Sequence, residues 1–324
     1  MLRISKNAVV SLLSGVVAVA GWTASAQASS IDVLSSVAGT YNVYTSGNMG
    51  SASSPYSSDS QGSVAVGGNL YLQGFGAYSN VVTGGNLTLT NGSVNGSAKV
   101  GGSATLSSAS VNGGLSQHAT VTPVSGLSFS QTSASLAQAS TALYGLNATG
   151  TTYRNPWGQI SFTGSNNGLN VFSVTAAQLT GINALSIAAP TNSTVVINVT
   201  GSSLSLSGFG VSLSGITASH ILFNFENAST LAFSGLGWEG SVLAPNASVT
   251  ATNGNFDGSV IVKQLVGVTW QNAEFHNGGM FSGNLSSVSA VPLPAALPMM
   301  GSALAGLAGI GWRRRRAARK TADA

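Results

Sequence analysis

A four-residue sequence, Gly-Gly-Asn-Leu, recurs at a fixed interval and limits what this chain can fold into. It stands at residues 67–70, returns at residues 84–87, and appears as Gly-Gly-Ser-Ala at residues 101–104. The interval is 17 residues each time. A fixed period of this kind indicates a repeat architecture, in which each unit buries its apolar side against its neighbours.

Each repeat unit has the composition of a short strand followed by a corner. Leu87, Thr88 and Leu89 alternate apolar and polar side chains, which places leucine inward and threonine outward. Glycine and asparagine between the strands suit corners that need positive φ. We therefore predict a parallel β-solenoid over residues 62–112, in which successive coils are about 4.8 Å apart. Two ladders are expected to stack inside it: Leu70 on Leu87 and Ala104, and Leu72 on Leu89 and Leu106. An antiparallel sandwich of short strands is the alternative, but it gives no reason for a corner sequence to repeat.

The second half of the chain shows a related pattern. Residues 227–233 align with residues 246–252 at an interval of 19, and residues 240–242 align with residues 258–260 at an interval of 18. The sequence thus predicts further coils of similar length after a non-repeating segment.

Residues 129–146 form that non-repeating segment, and their pattern is helical. One helical face would carry Leu136, Ala139, Leu143 and Leu146. We expect this helix to lie along the flank of the solenoid, and we expect a shorter helix at residues 31–38. The predicted fold is therefore mainly β: a parallel β-solenoid (β-helix) with one flanking α-helix. The chain ends are expected to add an N-terminal signal helix and a C-terminal transmembrane helix.

The first 28 residues have the three parts of a secretory signal peptide. Arg3 and Lys6 give a positive start, an apolar run follows at residues 8–20, and small residues then offer cleavage sites. The apolar run is short for a membrane span, so removal by signal peptidase is expected.

The C-terminal 34 residues combine a proline-containing motif, an apolar stretch and a basic cluster. The motif consists of Val291, Pro292, Leu293, Pro294 and Ala295. The apolar stretch at residues 295–312 is just long enough to cross the ~30 Å hydrocarbon core. The basic cluster that follows consists of Arg313, Arg314, Arg315 and Arg316. By the positive-inside rule these arginines form a cytoplasmic stop.

This three-part tail resembles the VPLPA variant of the bacterial PEP-CTERM sorting signal. The resemblance implies recognition of the motif by an exosortase-type processing enzyme, which removes the membrane anchor. An ordinary single-span anchor would explain the apolar stretch and the arginines, but not the proline motif.

The charge distribution excludes a nucleic-acid partner. Between the two terminal segments the chain has three basic residues, Lys99, Arg154 and Lys263, and six acidic residues, so this body carries a net charge of −3. Binding to phosphates needs clustered Lys and Arg, which the body lacks. The chain has no cysteine, which excludes disulfides and thiolate metal sites.

Few residues of the body are candidates for chemistry. None of the histidines, His118, His220 and His276, lies in a zinc-hydrolase motif, and we expect them to have structural roles. Glu239 and Asp257 precede the aligned glycines of two coils, so they should lie side by side on the surface. They could serve as the paired carboxylates of a glycosidase or as a cation site. Solvated corner residues are the simpler interpretation. We predict no catalytic residues, no metal and no cofactor.

Two further binding hypotheses find little support in the sequence. A calcium-binding repeat would need the pattern G-G-x-G-x-D, which does not occur. A regular Thr-x-Thr at the coil period, as an ice-binding face would require, does not occur either.

Segments spread along residues 31–284 resemble the bacterial choice-of-anchor A family, whose fold is grouped with ice-binding-like adhesive domains. The segments are residues 41–48, 62–70, 194–201, 221–225, 240–247 and 258–260. The resemblance implies a surface or adhesin-like protein without established catalytic residues, attached through one of several kinds of C-terminal anchor.

The sequence therefore predicts a signal peptide at residues 1–28, a solenoid domain at residues 29–288 and a sorting signal at residues 289–324. The expected function is that of an exported, non-catalytic surface or matrix protein of a Gram-negative bacterium, transiently tethered to the inner membrane. Polar contacts with polysaccharide or cell surfaces would support adhesion or biofilm structure. A carbohydrate-active enzyme using Glu239 and Asp257 is the alternative.

Overall fold

A computed structural model describes residues 29–268 and 271–288. The first half of the chain forms one helix and eleven short strands. These are α1 (Ser30–Thr40), β1 (Tyr41–Thr45), β2 (Tyr56–Ser60), β3 (Ser63–Val66), β4 (Leu70–Ala77), β5 (Val81–Thr83), β6 (Leu87–Thr90), β7 (Ser93–Val94), β8 (Ala98–Val100), β9 (Ala104–Ser107), β10 (Ser110–Val111) and β11 (Leu115–Ser116).

Helix α2 (Phe129–Tyr144) separates these strands from the second half. The second half consists of β12 (Thr151–Arg154), β13 (Gln159–Thr163), β14 (Leu169–Thr175), α3 (Ala176–Leu179), β15 (Ala184–Ala188), β16 (Thr194–Thr200), β17 (Ser203–Ser207), β18 (Val211–Ser214), β19 (Ile221–Asn224), β20 (Thr230–Ser234), β21 (Gly237–Glu239), β22 (Ser241–Thr252), β23 (Asn255–Asp257), β24 (Val260–Val266) and β25 (Glu274–His276). Short 3-10 turns occupy Ala218–His220 and Asn277–Gly279.

The strands form a three-sided parallel solenoid, which confirms the predicted fold class. The first side, the helix-covered face, runs in the order β11-β8-β5-β3-β1-β24-β22-β19-β16-β14. The second side, the hydroxyl face, runs from β17 through β20 and the ends of β22 and β24 to Met49, and continues through the start of β4 to β6 and β9. The third side, the acidic face, runs from β21 through β23, β25 and β2 to the end of β4, β7 and β10. Strands β13, β15 and β18 extend this third side beyond β21, and β12 pairs antiparallel with β13 at its end.

The order of the coils in space differs from their order in the chain. The sequence suggests that each coil stacks on the one before it, but the last coil packs on the first strand, with Val43 opposite Val260 in parallel β1 and β24. The chain thus starts in the middle of the solenoid and builds to one end, at β11. It then crosses to the opposite end through α2 and returns coil by coil. This arrangement lets the first and last coils cover each other's apolar edges.

The predicted ladders are present in the first half. Leu70 pairs with Leu87, which pairs with Ala104, and Leu72, Leu89 and Leu106 pair in the same way. Leu72 and Leu89 are 1% and 0% exposed, whereas Leu106 in the last coil is 37% exposed. The ladder therefore loses its cover at this end of the solenoid.

The predicted register of the second block is partly wrong. The 18-residue interval holds, because Val242 pairs with Val260. The 19-residue interval fails, because Leu231 pairs with Val249 rather than with Thr250. The burial pattern decides this register: Leu231 and Val249 both point into the core, and a one-residue slip would turn every side chain to the opposite face.

One corner of three successive coils in the first half adopts left-handed backbone geometry at the coil period. Gly74, Asn91 and Ser108 have φ values of 60°, 52° and 49°. Glycine and asparagine tolerate this region, whereas most residues with a Cβ do not. The corner bends the strand of the hydroxyl face into the strand of the acidic face.

The two long helices lie where the sequence predicts them, packed on the helix-covered face. Both begin with a capping box, formed by Ser29 with Asp32 in α1 and by Ser128 with Gln131 in α2. The apolar stripe of α2 is buried at Leu136, Ala139 and Leu143.

A buried asparagine pair fixes α2 to the sheet. Asn198 and Asn224 stand opposite each other in β16 and β19, and both are almost fully buried. The Asn198 amide donates to the Leu143 carbonyl at 2.8 Å, and the Asn224 amide donates to the Ser140 carbonyl at 2.9 Å. These bonds satisfy the buried polar groups and set the position of the crossing helix.

The predicted signal helix and transmembrane helix lie outside the described residues. Within residues 29–268 and 271–288, no helix has the length and apolar character needed to cross a membrane.

Candidate functional site

The hydroxyl face presents a charge-free surface along the solenoid. Its outward side chains come from alternate positions of seven strand segments, whose intervening residues point into the core. These outward residues are Ser203, Ser205, Ser207, Thr230, Ala232, Ser234, Ser248, Thr250, Thr252, Gln264, Val266, Tyr71, Gln73, Thr88, Thr90, Thr105 and Ser107. Serine and threonine predominate, and none of the side chains is ionisable near neutral pH.

Parallel pairing arranges these hydroxyls in ranks. Thr88 pairs with Thr105 and Thr90 pairs with Ser107 in the first half, and Ser234 pairs with Thr252 in the second. The sequence alone does not reveal that the ranks of the two halves share one face, because the halves meet through long-range pairings, such as β1 with β24, that neither repeat indicates. Tyr71 and other larger side chains interrupt the ranks in the middle of the face.

A pocket of about 260 Å³ lies in the middle of the hydroxyl face, where the two halves of the solenoid meet. Its lining consists of Asn48, Gly50, Ser51, Ser54, Gln264, Leu265, Val266 and Gly267. Its volume is somewhat below the ~300 Å³ at which ordinary small-molecule sites begin. Uncharged amides and hydroxyls beside an apolar wall can hold one polar ring without an ion pair.

The acidic face brings the predicted pair Glu239 and Asp257 together on adjacent strands. They stand opposite each other in β21 and β23, and Asp257 in turn stands opposite His276 in β25. The His276 ring contacts two carboxylates, with Nδ1 3.2 Å from Asp257 Oδ1 and Nε2 3.5 Å from Glu274 Oε2. Sequence reasoning missed His276 and Glu274, because nothing in their spacing reveals that β25 lies beside β23.

Partial burial and repulsion between carboxylates raise the pKa of two carboxyl groups on the acidic face, those of Glu239 and Asp59. Burial raises the pKa of Glu239, and the neighbouring charge of Asp257 raises it further, whereas His276 lowers it. Burial likewise raises the pKa of Asp59 on β2, with a further rise from Glu274 and an opposing effect of His276. The acidic face therefore carries an electrostatic penalty when all its carboxyls are ionised.

The described residues contain no group of three or more histidine, aspartate or glutamate side chains arranged to hold a metal ion. Neither the pocket of the hydroxyl face nor a small cavity between α2 and the helix-covered face is lined by Glu239 or Asp257. Their arrangement offers two carboxylates on an open sheet surface.

The residues predicted for sorting, Val291 to Ala295 and Arg313 to Arg316, lie outside the part of the chain that the structure describes.

Comparison with known proteins identifies the domain. A family model described as "Putative Ice-binding-like adhesive domain" matches residues 34–277. Two crystal structures are similar over most of their length. An ice-binding protein from the Antarctic ascomycete Antarctomyces psychrotrophicus has 14% sequence identity and a TM-score of 0.37, covering 72% of this chain and 95% of the other. An ice-binding protein from an Antarctic biological consortium has 18% identity and a TM-score of 0.38, covering 78% and 91%. No curated protein matches the sequence.

Proposed function

The chain belongs to the ice-binding-like adhesive domain family, and from that premise we propose that it is an exported, non-catalytic adhesive protein of the bacterial surface or extracellular matrix. Its hydroxyl face is the adhesive surface, and polysaccharide is the partner. The observation that carries this proposal is the uncharged, hydroxyl-rich character of that face over both halves of the solenoid.

The chemistry of the hydroxyl face fits a neutral glycan. A sugar chain presents many hydroxyls that both donate and accept hydrogen bonds, and the Ser, Thr and Gln side chains of this face can do the same. Each such contact is weak, but a polymer can engage many of them at once, and this multiplies the affinity. Because Tyr71 and Gln73 interrupt the hydroxyl ranks, the face suits an irregular polymer better than the regular lattice of ice.

The test is adhesion by variants that differ only in which side of one coil is altered. Thr88→Tyr places a bulky ring on the hydroxyl face, and Ser93→Tyr places the same ring on the acidic face of the same coil. We expect Thr88→Tyr to reduce binding to immobilised extracellular polysaccharide by about tenfold, roughly 1.4 kcal/mol, and Ser93→Tyr to bind normally. Equal binding by both variants would show that the hydroxyl face is not the adhesive surface. Ice shaping by the wild-type protein, with no glycan binding, would assign ice as the ligand.

A carbohydrate-active enzyme is the second candidate, because Glu239 and Asp257 do lie on adjacent strands. Retaining glycosidases hold their two carboxyl groups about 5–5.5 Å apart, close to the spacing of neighbouring strands. The double variant Glu239→Ala, Asp257→Ala decides between the two functions. Unchanged adhesion and no glycan cleavage by the wild type support the adhesive protein, whereas cleavage that the double variant loses supports the enzyme.

Export and processing complete the proposal. Signal peptidase would remove residues 1–28, the apolar stretch at residues 295–312 would hold the domain transiently at the inner membrane, and an exosortase-type enzyme would then cleave near the VPLPA motif. Proline lacks a backbone N–H donor and disfavours helical geometry in the residue before it, so Pro292 and Pro294 would suit recognition of the motif as extended chain. The anchor of the choice-of-anchor A type is thus temporary, and the mature protein resides at the cell surface or in the matrix of a Gram-negative bacterium.

Mass spectrometry of the released protein tests this processing. We expect no peptide that contains Trp312 and the following arginines, and we expect Pro292→Ala with Pro294→Ala to accumulate in the inner membrane. A released protein that still carries the arginines would contradict removal of the tail.

A further inference from the structure

The two ends of the solenoid are finished differently. At the far end, where the second half begins, a further segment of the chain lies against each side. Residues 149 and 150 both donate their backbone N–H groups to the Val171 carbonyl of β14, at 2.8 and 3.1 Å. Strand β12 closes the edge of β13 by antiparallel pairing, and α3 packs against β17.

The near end, by contrast, has three open strand edges. Among residues 29–268 and 271–288, strands β9, β10 and β11 are each the last strand of their side of the solenoid, and each pairs with only one neighbour. Local contacts cover part of this end: the Ala104 N–H donates to Gln117 Oε1 at 2.6 Å, and the His118 N–H donates to the Gly102 carbonyl at 2.9 Å. We call the surface formed by residues 104–116 the open end.

The core is also uncovered at the open end. Leu106 and Leu115 are 37% and 36% exposed, although they continue ladders whose preceding members, Leu89 and Ala98, are at most 1% exposed. An inward-pointing leucine that meets solvent indicates a coil that lacks its neighbour.

The composition of the open end favours pairing. Proteins normally protect free edges with charged residues, proline or bulges. Residues 104–116 contain no Lys, Arg, Asp, Glu or Pro. Lys99 lies one coil back on the helix-covered face, opposite Ser116.

We propose that the open end binds the open end of a second copy of this chain, giving an end-to-end dimer. A single peptide strand could cover only one of the three edges. Another three-sided coil of the same cross-section covers all three, and the second copy supplies one.

The symmetry of the pairing follows from the fold. At the far end β12 covers the edge of β13 and α3 packs against β17, so head-to-tail stacking of coil on coil would have to displace both elements, whereas a two-fold arrangement of two open ends displaces nothing. A two-fold axis perpendicular to the hydroxyl face reverses the strand direction. It pairs β9 with its own copy in antiparallel fashion, and it pairs β10 with β11 of the second copy. The two hydroxyl faces then join into one continuous surface of twice the length, which presents two linked binding faces.

Disulfide cross-linking in the full-length chain tests this dimer. Because the chain has no native cysteine, every disulfide must form through the cysteine that is introduced. Thr105→Cys places a thiol on β9, where the two copies meet, and Ser205→Cys is the matched control on β17, at the closed end of the same face. After mild oxidation of detergent-purified protein, we expect a disulfide-linked dimer from Thr105→Cys and none from Ser205→Cys on a non-reducing gel. Adding Leu106→Lys to Thr105→Cys should reduce cross-linking at least tenfold, because two lysines would then face each other across the axis.

The remaining outcomes overturn the proposal. These are equal cross-linking of both cysteine variants, cross-linking that survives Leu106→Lys, no cross-linking of Thr105→Cys, and cross-linking to a different polypeptide when the variant is oxidised in cells. A circular dichroism spectrum checks that the lysine variant is folded, and we expect a native spectrum because Leu106 lies in the terminal coil. None of these measurements depends on whether the hydroxyl face binds a glycan.

Discussion

The leucine ladder gives a quantitative test of the solenoid, because the same side chain occupies the same position at two different depths. Leu89 is fully buried between two coils, and Leu106 lies one coil further out, at 37% exposure. Leu89→Ala removes buried methyl groups and leaves a cavity, which costs about 2–5 kcal/mol. Leu106→Ala should cost only about 1 kcal/mol, since solvent already reaches the side chain and less apolar area is lost.

Urea denaturation followed by circular dichroism measures both changes. With a denaturant slope near 3 kcal/mol per molar, Leu89→Ala should lower the unfolding midpoint by about 1 M and Leu106→Ala by about 0.3 M. The protein must be dilute, so that the open end stays uncovered. Leu72→Ala is the matched control, since Leu72 is 1% exposed and should behave like Leu89. Equal shifts for Leu89→Ala and Leu106→Ala would refute the stacking of coils on which the reasoning rests.

Three further predictions concern other parts of the coil. Glu239→Gln should raise the melting temperature at pH 7, because the raised pKa of Glu239 means that its ionised carboxylate is unfavourable in the folded state. This difference should disappear as the pH falls below 4.5, the ordinary pKa of a glutamate, where the carboxyl is protonated in both the folded and the unfolded chain. A difference that stays constant across pH would contradict this prediction. Gly85→Ala should lower the melting temperature strongly, because the added Cβ would lie 2.6 Å from the carbonyl oxygen of Gly68 in the preceding coil. Gly168→Ala is the control and should change the melting temperature little, because its Cβ would meet no atom within 4 Å. Asn86→Ala should lower the free energy of unfolding by about 1 kcal/mol in urea titrations, because the Ser103 N–H loses its 2.9 Å hydrogen bond to Asn86 Oδ1. An unchanged unfolding midpoint would show that this hydrogen bond does not contribute to stability.

Local pattern was sufficient to predict the coil and its contents. The 17-residue interval gives the pairing of Leu70 with Leu87, and the helical stripe gives α2 together with its buried face. Both features depend on residues close in sequence or on an exact repeat, and so they can be read without knowledge of the rest of the chain.

Long-range placement could not be predicted in the same way. The pairing of Val43 with Val260 joins residues from opposite ends of the domain, and neither repeat indicates it. The acidic cluster of His276 with Asp257 and Glu274 depends on the placement of β25, a strand of only three residues. The hydroxyl face could not be recognised for the same reason, because half of it comes from strands beyond α2.

The composite nature of the hydroxyl face is the central claim, and binding by variants from the two halves tests it most directly. Thr88 and Thr250 lie far apart in the chain but on the same face of the solenoid. In equilibrium binding to the extracellular polysaccharide, Thr88→Tyr and Thr250→Tyr should each weaken binding by about tenfold, roughly 1.4 kcal/mol, while Ser93→Tyr on the acidic face leaves it unchanged. Loss of binding in Ser93→Tyr alone, or normal binding by both threonine variants, would contradict the claim that the two halves build one adhesive surface.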